Sequence, residues 1–231
     1  LSALSGIPFF AGLSAEQVAL FESRCQRKKV AEGSLILDFN DETSAVFFII
    51  SGSVRILVRS PAGKEMILGD CSSGDFFGEL AAIDGAVRSA NVTALNSTDL
   101  LVVSAPVFRE ILASSPPIAL RLMGRLAARI RLLNERLFER QILDVRHRLY
   151  SELLRMASPR KGRSDQLIVS PPPFQHDLAA RIGCRREQVN RELNRMKEEG
   201  LASSERGGLV LSRPEELRQR IDALLSAADA A

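Results

Sequence analysis

Gly74-Asp75-Phe76-Phe77-Gly78-Glu79-Leu80-Ala81-Ala82, followed after five intervening residues by Arg88-Ser89-Ala90, decides the reading of this chain. A carboxylate flanked by glycine opens a helical turn, and one arginine and one serine stand a short loop away. Backbone N–H groups at a short helix start favour an anion. Arg88 offers a planar fork for phosphate oxygens, Glu79 can accept from a sugar hydroxyl, and Ser89 adds a donor. Together these groups suit a small ligand carrying both a ribose and a phosphate. A plainer reading stays open: the Gly-Glu-Leu turn is only a tight corner between strands, and Arg88 only pairs with Glu79.

The cassette resembles the phosphate-binding cassette of cyclic-nucleotide-binding domains in the cyclic AMP receptor protein/fumarate-nitrate regulator (Crp/Fnr) family of bacterial transcription regulators. The preceding Gly63-Lys64-Glu65-Met66-Ile67-Leu68 matches the same family. The resemblance implies that Gly78 and Leu80 line the turn, Glu79 takes the ribose hydroxyl, and Arg88 and Ser89 hold the cyclic phosphate. In the family's best-known member, two adjacent hydroxyl residues of a long helix contact adenine, one of them across a dimer. Aligned through Leu143-Asp144-Val145, those positions are Leu133 and Asn134 here. Leu133 cannot make that hydrogen bond, whereas Asn134 carries both a donor and an acceptor. Ser89, in place of threonine, follows the family tendency toward cyclic AMP, with cyclic GMP the second possibility. A pocket of this descent that has lost its nucleotide, or takes another effector, is the alternative.

Composition sets the bounds. The 231 residues suffice for two ordinary domains, and 45% hydrophobic with 26% charged residues is globular in character. No apolar run approaches the ~18 residues of a membrane span, and no charged-then-apolar leader is seen, so a cytoplasmic protein without a membrane partner is expected. The chain begins at Leu1, and native residues can precede it. Cys25, Cys71 and Cys184 are far apart and lack metal-ligand spacing. The N-terminal cysteine cluster by which some family members hold an iron–sulfur centre is missing, so neither a metal nor a resident cofactor is expected. Residues 1–143 hold 15 basic and 15 acidic groups; residues 144–231 hold the other 16 and 13, so the net charge of +3 lies wholly in the C-terminal part.

Through about Ser104, short apolar runs alternate with turn residues: Ser34–Leu37, Ala45–Ile50, Val54–Val58, Met66–Leu68 and Leu100–Val103. Such spacing predicts a sandwich or barrel. Ser14 is placed to cap a short helix through Val18 and Phe21. From Pro117 the period changes: Met123, Leu126, Ile130, Leu133 and Leu137 recur at spacings of three and four between charged faces, an a/d seam expected to meet an identical helix. Leu149, Leu153, Leu154 and Met156 mark a further amphipathic helix, with breaks at Ser158–Gly162 and Ser170–Pro173.

Gln175 to Met196 reads as two helices joined at Gly183, with Leu178, Ala179, Ile182, Val189 and Leu193 as their core. On the second helix Glu187, Asn190, Arg191 and Asn194 form one polar face, and Arg185, Arg186 and Gln188 cluster at its start. Gly183-Cys184-Arg185-Arg186-Glu187-Gln188-Val189-Asn190-Arg191 again resembles the Crp/Fnr family, in its recognition helix. The family's DNA-contacting Arg, Glu and Arg fall on Arg186, Glu187 and Arg191. Arg185, Gln188 and Asn190, also candidates for DNA contact, depart from the best-known member and leave the operator sequence open. A bland solvated helix is the competing reading of this face. Leu201-Ala202-Ser203 and Leu209-Val210-Leu211 around Gly207-Gly208 predict a wing.

The resemblance therefore implies an α+β chain: a cyclic-nucleotide-binding β-roll over 1–115, a dimerisation helix over 116–143 and a winged helix-turn-helix over 144–231. The implied partners are cyclic nucleotide, palindromic double-stranded DNA, a second copy of the chain and RNA polymerase. An enzyme that hydrolyses a phosphate ester with a carboxylate, an arginine and serines is the competing class. Glu79 has no histidine or second carboxylate close in sequence, so no catalytic residue is expected.

Overall fold

A computed structural model describes residues 4–229. The chain divides into two compact units, residues 1–129 and 130–231.

In the N-terminal unit a single turn of tighter helix, Pro8–Phe10, precedes α1 (Ala15–Glu22), β1 (Gln26–Val30), β2 (Leu35–Leu37), β3 (Val46–Ser51), β4 (Ser53–Arg59), β5 (Glu65–Ser72), β6 (Phe76–Phe77), α2 (Glu79–Asp84), β7 (Asn91–Ala94), β8 (Thr98–Val103), α3 (Ala105–Ser114) and the start of α4 (Pro116–Ile142). Two antiparallel four-stranded sheets result, ordered β1-β8-β3-β6 and β2-β7-β4-β5. Strand alternation sorts the apolar residues between two cores. Phe47 and Ile49 of β3 join Leu100, Val54, Val92 and Phe77 between the sheets. Val46 and Phe48 point the other way, into a layer with Phe9, Phe10, Phe108, Ile111, Ile118 and Leu122. β3 is thus buried on both faces and reads as an unbroken apolar run.

Ser14 caps α1 as expected: its hydroxyl accepts from Gln17 N (3.1 Å), and the Gln17 side chain accepts from Ser14 N (3.0 Å). β1, β6 and β7 were not foreseen. β1 is Gln-Arg-Lys-Lys-Val with only Val30 buried, an edge strand defined by its pairing to β8. Cys71 lies in the inter-sheet core, and burial pushes its thiol up to about 11. Burial, then Glu22, does the same for Cys25.

The seam on α4 needs correcting at one position. Met123, Ile130, Leu133 and Leu137 are exposed, but Leu126 packs on the N-terminal core behind Ile118 and Leu122. The boundary between the compact units falls inside α4.

The C-terminal unit holds the remainder of α4, α5 (Val145–Met156), β9 (Ser158–Arg160), β10 (Arg163–Val169), α6 (Gln175–Ile182), α7 (Arg186–Glu198), β11 (Ala202–Glu205), β12 (Gly208–Leu211) and α8 (Pro214–Asp229). Asp144 caps α5, accepting from His147 N at 3.0 Å. The sheet runs β11-β12-β10-β9, all antiparallel. The segment 158–162, expected as a break, is instead β9 and its turn, and α8 was not anticipated. Leu149, Leu153, Leu178, Val189, Leu193, Leu211 and Leu217 form the core.

Beside that core lies a charged hub. The Glu152 carboxylate, 3% exposed, meets Arg136 (3.2 Å), Arg155 (3.4 Å) and Arg181 (3.5 Å), and Arg155 also pairs with Glu139. The hub joins α4, α5 and α6. Removing a buried carboxylate shared by three arginines leaves their charge less well compensated in low dielectric. Glu152→Ala should therefore destabilise this unit by about 3 kcal/mol, the low end of that range because Arg136 and Arg155 retain some solvent. Tyr150, the chain's single tyrosine, is 1% exposed in the adjacent core, so its fluorescence during urea unfolding follows this unit selectively. A midpoint equal to wild type would show that the hub contributes no stability.

Candidate functional sites

β6 ends at Phe77, and the next residue, Gly78, turns the chain directly into α2 with a φ of +81°. Only glycine tolerates this position: a Cβ here would stand 2.9 Å from Arg88 Nη1 and 3.0 Å from the Ala45 carbonyl oxygen. Arg88 reaches this corner from the loop before β7. Its Nη1 donates to Gly78 O (2.8 Å), its Nη2 to Ala45 O (2.8 Å) and its Nε to Thr43 Oγ1 (3.1 Å). These bonds use three of its five N–H donors and fix the guanidinium. Burial lowers the Arg88 pKa from the usual arginine range, offset by the carboxylates of Asp41 and Glu79.

Glu79, the first residue of α2, is 1% exposed. It does not pair with Arg88, as the plainer sequence reading would have it. Arg129 of α4 donates to its Oε1 at 2.7 Å instead. Around these groups lies a shallow cleft of about 390 Å³ counted with its open mouth. Gly78, Glu79, Leu80, Arg88 and Ser89 all line it. Leu37, Ile56, Phe77 and Val92 add an apolar wall. Sequence reasoning missed that wall: Leu37 and Ile56 were assigned only to strands, and the strands that carry Phe77 and Val92 were not foreseen. It also missed Arg129, whose signal was an arginine one turn before the two candidate positions on the long helix. Leu133 and Asn134 are both exposed on α4 and do not line this cavity. Among the described residues no group of three or more His, Cys, Asp or Glu side chains could hold a metal.

In the C-terminal unit Gly183 (φ +71°) caps α6 and lets the chain turn into α7. Val189, Leu193 and Met196 bury one face of α7, while Glu187, Asn190, Arg191 and Asn194 lie exposed on the other. Arg185 and Arg186 are exposed at its start. Gln188 is half-buried, its Oε1 accepting from Arg185 N at 3.1 Å and closing the first turn. Arg191 leans on the Glu192 carboxylate (3.3 Å), which also holds Arg146 (3.0 Å). Cys184 is half-buried beside the turn. His176 is exposed, its ring stacked under Phe174 at 5.4 Å. The β11–β12 hairpin follows α7 as the expected wing. Arg160 is engaged with Glu205 and Gln166, and so is committed within the hairpin sheet.

Among the described residues no helix is long and apolar enough to cross a membrane. The profile of the cyclic nucleotide-binding domain matches residues 27–115, and that of the Crp-like helix-turn-helix domain matches residues 147–220. The chain is 31% identical to the cAMP-activated global transcriptional regulator Vfr of Pseudomonas aeruginosa, over 78% of this chain and 86% of that protein. It is also 31% identical to the cyclic AMP receptor protein of Thermus thermophilus, over 86% and 89%. Its fold is shared with the c-di-GMP-responsive global regulator CLP of Xanthomonas campestris, at a TM-score of 0.71 and 22% identity over 86% and 99% of the two chains. With a cyclic-nucleotide-binding β-rich domain, a long helix and a helix-turn-helix in this order, the chain belongs to the Crp/Fnr family of transcription regulators.

Proposed function

We propose that this chain is a homodimeric regulator that binds cyclic AMP and thereby sets its affinity for a palindromic DNA site. The observation that carries the effector assignment is the grouping of Arg88, Ser89 and Glu79 around one cavity with an apolar wall. Arg88 and Ser89 would hold the cyclic phosphate, Glu79 a ribose hydroxyl, and Leu37, Ile56 and Val92 would flank the ligand. Arg129, already on Glu79, would supply a second positive charge near the phosphate. Leu133 and Asn134, on the helix over 116–143, would approach the base, with Asn134 the polar reader. Similarity to two cyclic AMP-responsive relatives supports that nucleotide over cyclic GMP.

The exposed Met123, Ile130, Leu133 and Leu137 support a dimer: an apolar stripe at this spacing on a charged helix is what a parallel partner covers. Two copies of α7 set one helical turn (~34 Å) apart would then read successive major grooves. Arg186, Glu187 and Arg191 would contact bases, with Arg185, Gln188 and Asn190 beside them. Such a protein acts in the cytoplasm with the chromosome and RNA polymerase. Its mechanism is a population shift, in which nucleotide favours the dimer geometry that fits DNA.

A family regulator with a different effector, or none, is the second reading, favoured by the bonds that already tie Arg88 to two carbonyls. Titrating cyclic AMP and cyclic GMP while measuring DNA affinity decides between them. Cyclic AMP should tighten binding to a selected operator, and identical affinity with and without either nucleotide would sink the effector assignment.

Arg88→Leu removes a charge-assisted contact of roughly 1.5–3 kcal/mol, so calorimetry should register at least about a tenfold loss of nucleotide affinity. Arg88→Lys, which keeps the charge but not the fork, should recover only part of it, and a melting curve separates this loss from unfolding. Wild-type binding in both variants would remove Arg88 from the phosphate site.

On DNA, Arg186→Ala should cost about 1–3 kcal/mol per half-site on the cognate operator and relax preference at one base position. Affinity for random DNA, dominated by phosphate neutralisation, should change far less. A competition series of single-base operator variants at fixed salt makes the measurement, and equal weakening of every variant would exclude base reading by this residue.

A further inference from the structure

Gln175 is the first residue of α6, and Asn190 lies in the middle of the exposed face of α7. The Gln175 Nε2 donates to the Asn190 Oδ1 at 3.0 Å, bridging the two helices of the helix-turn-helix on their outer side. Both side chains are neutral amides, so salt does not screen this bond as it screens an ion pair. An asparagine side chain has one acceptor oxygen and one NH2 with two donors. Here the oxygen is turned toward α6, and the donors are left for whatever approaches the exposed face.

We propose that Gln175 is a positioning residue for base recognition: by holding the Asn190 oxygen, it makes Asn190 a donor that selects a base edge bearing acceptors. In the major groove the edges that present acceptors and no donor are guanine, with O6 and N7, and thymine, with O4; adenine pairs its N7 acceptor with the N6 donor. Adenine is disfavoured, because bidentate pairing of asparagine with adenine needs the oxygen turned to N6–H while the nitrogen donates to N7. Cytosine presents only its N4 donor and is disfavoured for the same reason. Gln175 touches no base in this scheme; it sets which half of the Asn190 amide faces the DNA. The inference rests on the reading that α7 enters the major groove, and it adds a residue of α6 to the determinants of sequence choice.

The charge variant reverses the sign of the effect. In Gln175→Glu the side chain can only accept, so the Asn190 amide must turn round to donate to it. That presents Oδ1 to the groove and favours bases that donate there, adenine or cytosine. The experiment uses the full chain with cyclic AMP present and an operator selected by the wild-type protein. Binding is read by competition against every single-base variant of one half-site at fixed salt, with Tyr150 fluorescence confirming that each variant is folded.

Asn190→Ala should flatten preference at one base pair. Gln175→Glu should move preference at that same base pair toward adenine or cytosine by roughly fivefold or more relative to the wild-type base. The double variant should show only the flat profile of Asn190→Ala. A uniform loss across all variants in Gln175→Glu overturns the proposal, since it identifies only a change of charge near phosphates. A shift at a different base pair overturns it too, since Gln175 would then be reading DNA itself. Arg186→Ala separates these failures from that of the underlying reading. If Arg186→Ala flattens a position and Asn190→Ala does not, α7 reads bases but the Gln175–Asn190 bond has no part in it. If neither flattens any position, the placement of α7 in the groove fails and the proposal falls with it.

Discussion

Burial of β3 on both faces is the constraint on which the N-terminal unit depends. A strand whose alternate residues are all large and apolar must be covered twice, once by a second sheet and once by helices. Phe47 and Ile49 draw the β2-β7-β4-β5 sheet across one face, while Val46 and Phe48 draw Phe9, Phe10, Phe108 and α4 across the other. The same demand fixes β6, a strand of two residues with its side chains divided between the cores: Phe77 stacks on Phe47 and Phe76 lies against Phe48. Once β6 is pinned in this way, the next residue, Gly78, has no freedom of position. The corner from which Glu79 projects is set by aromatic packing behind it, so the cavity is built on a rigid wall.

Arg88 completes that corner by bonding backbone to backbone across it. The carbonyls of Gly78 and Ala45 both accept from one guanidinium, a geometry that lysine, with a single nitrogen, cannot reproduce. A side chain engaged in this way keeps its orientation without a ligand. It holds two donors in reserve, the preorganisation that lets a site bind an anion at little entropic cost.

Much of this was legible in the chain because the relevant signals are local. Gly78-Glu79-Leu80 with Arg88-Ser89 announces a corner and an anion-compatible cluster within a dozen residues, and the five residues nearest the turn do line one cavity. Strands with apolar alternation were equally visible. What escaped notice is defined by partners distant in sequence. β1 is polar at four of five positions and is a strand because β8 lies beside it. Arg129 joins the cavity only through Glu79, fifty positions away. On α4, spacing alone could not separate Leu126, which packs in part on its own unit, from the exposed residues beside it. α8 is the exception, since its signal is local: proline at its start followed by Glu215 and Glu216.

The cysteines carry a consequence for the chemistry this protein meets in a cell. Oxidants such as peroxides attack the thiolate, not the thiol. With their pKa values at about 11, Cys25 and Cys71 expose only about one thiolate in ten thousand at neutral pH. Cys71 sits behind the wall of the cavity, where oxidation to a bulkier polar group would wedge the two sheets apart. The burial that packs Cys71 against that wall thus also keeps its thiol protonated and slow to meet such oxidants.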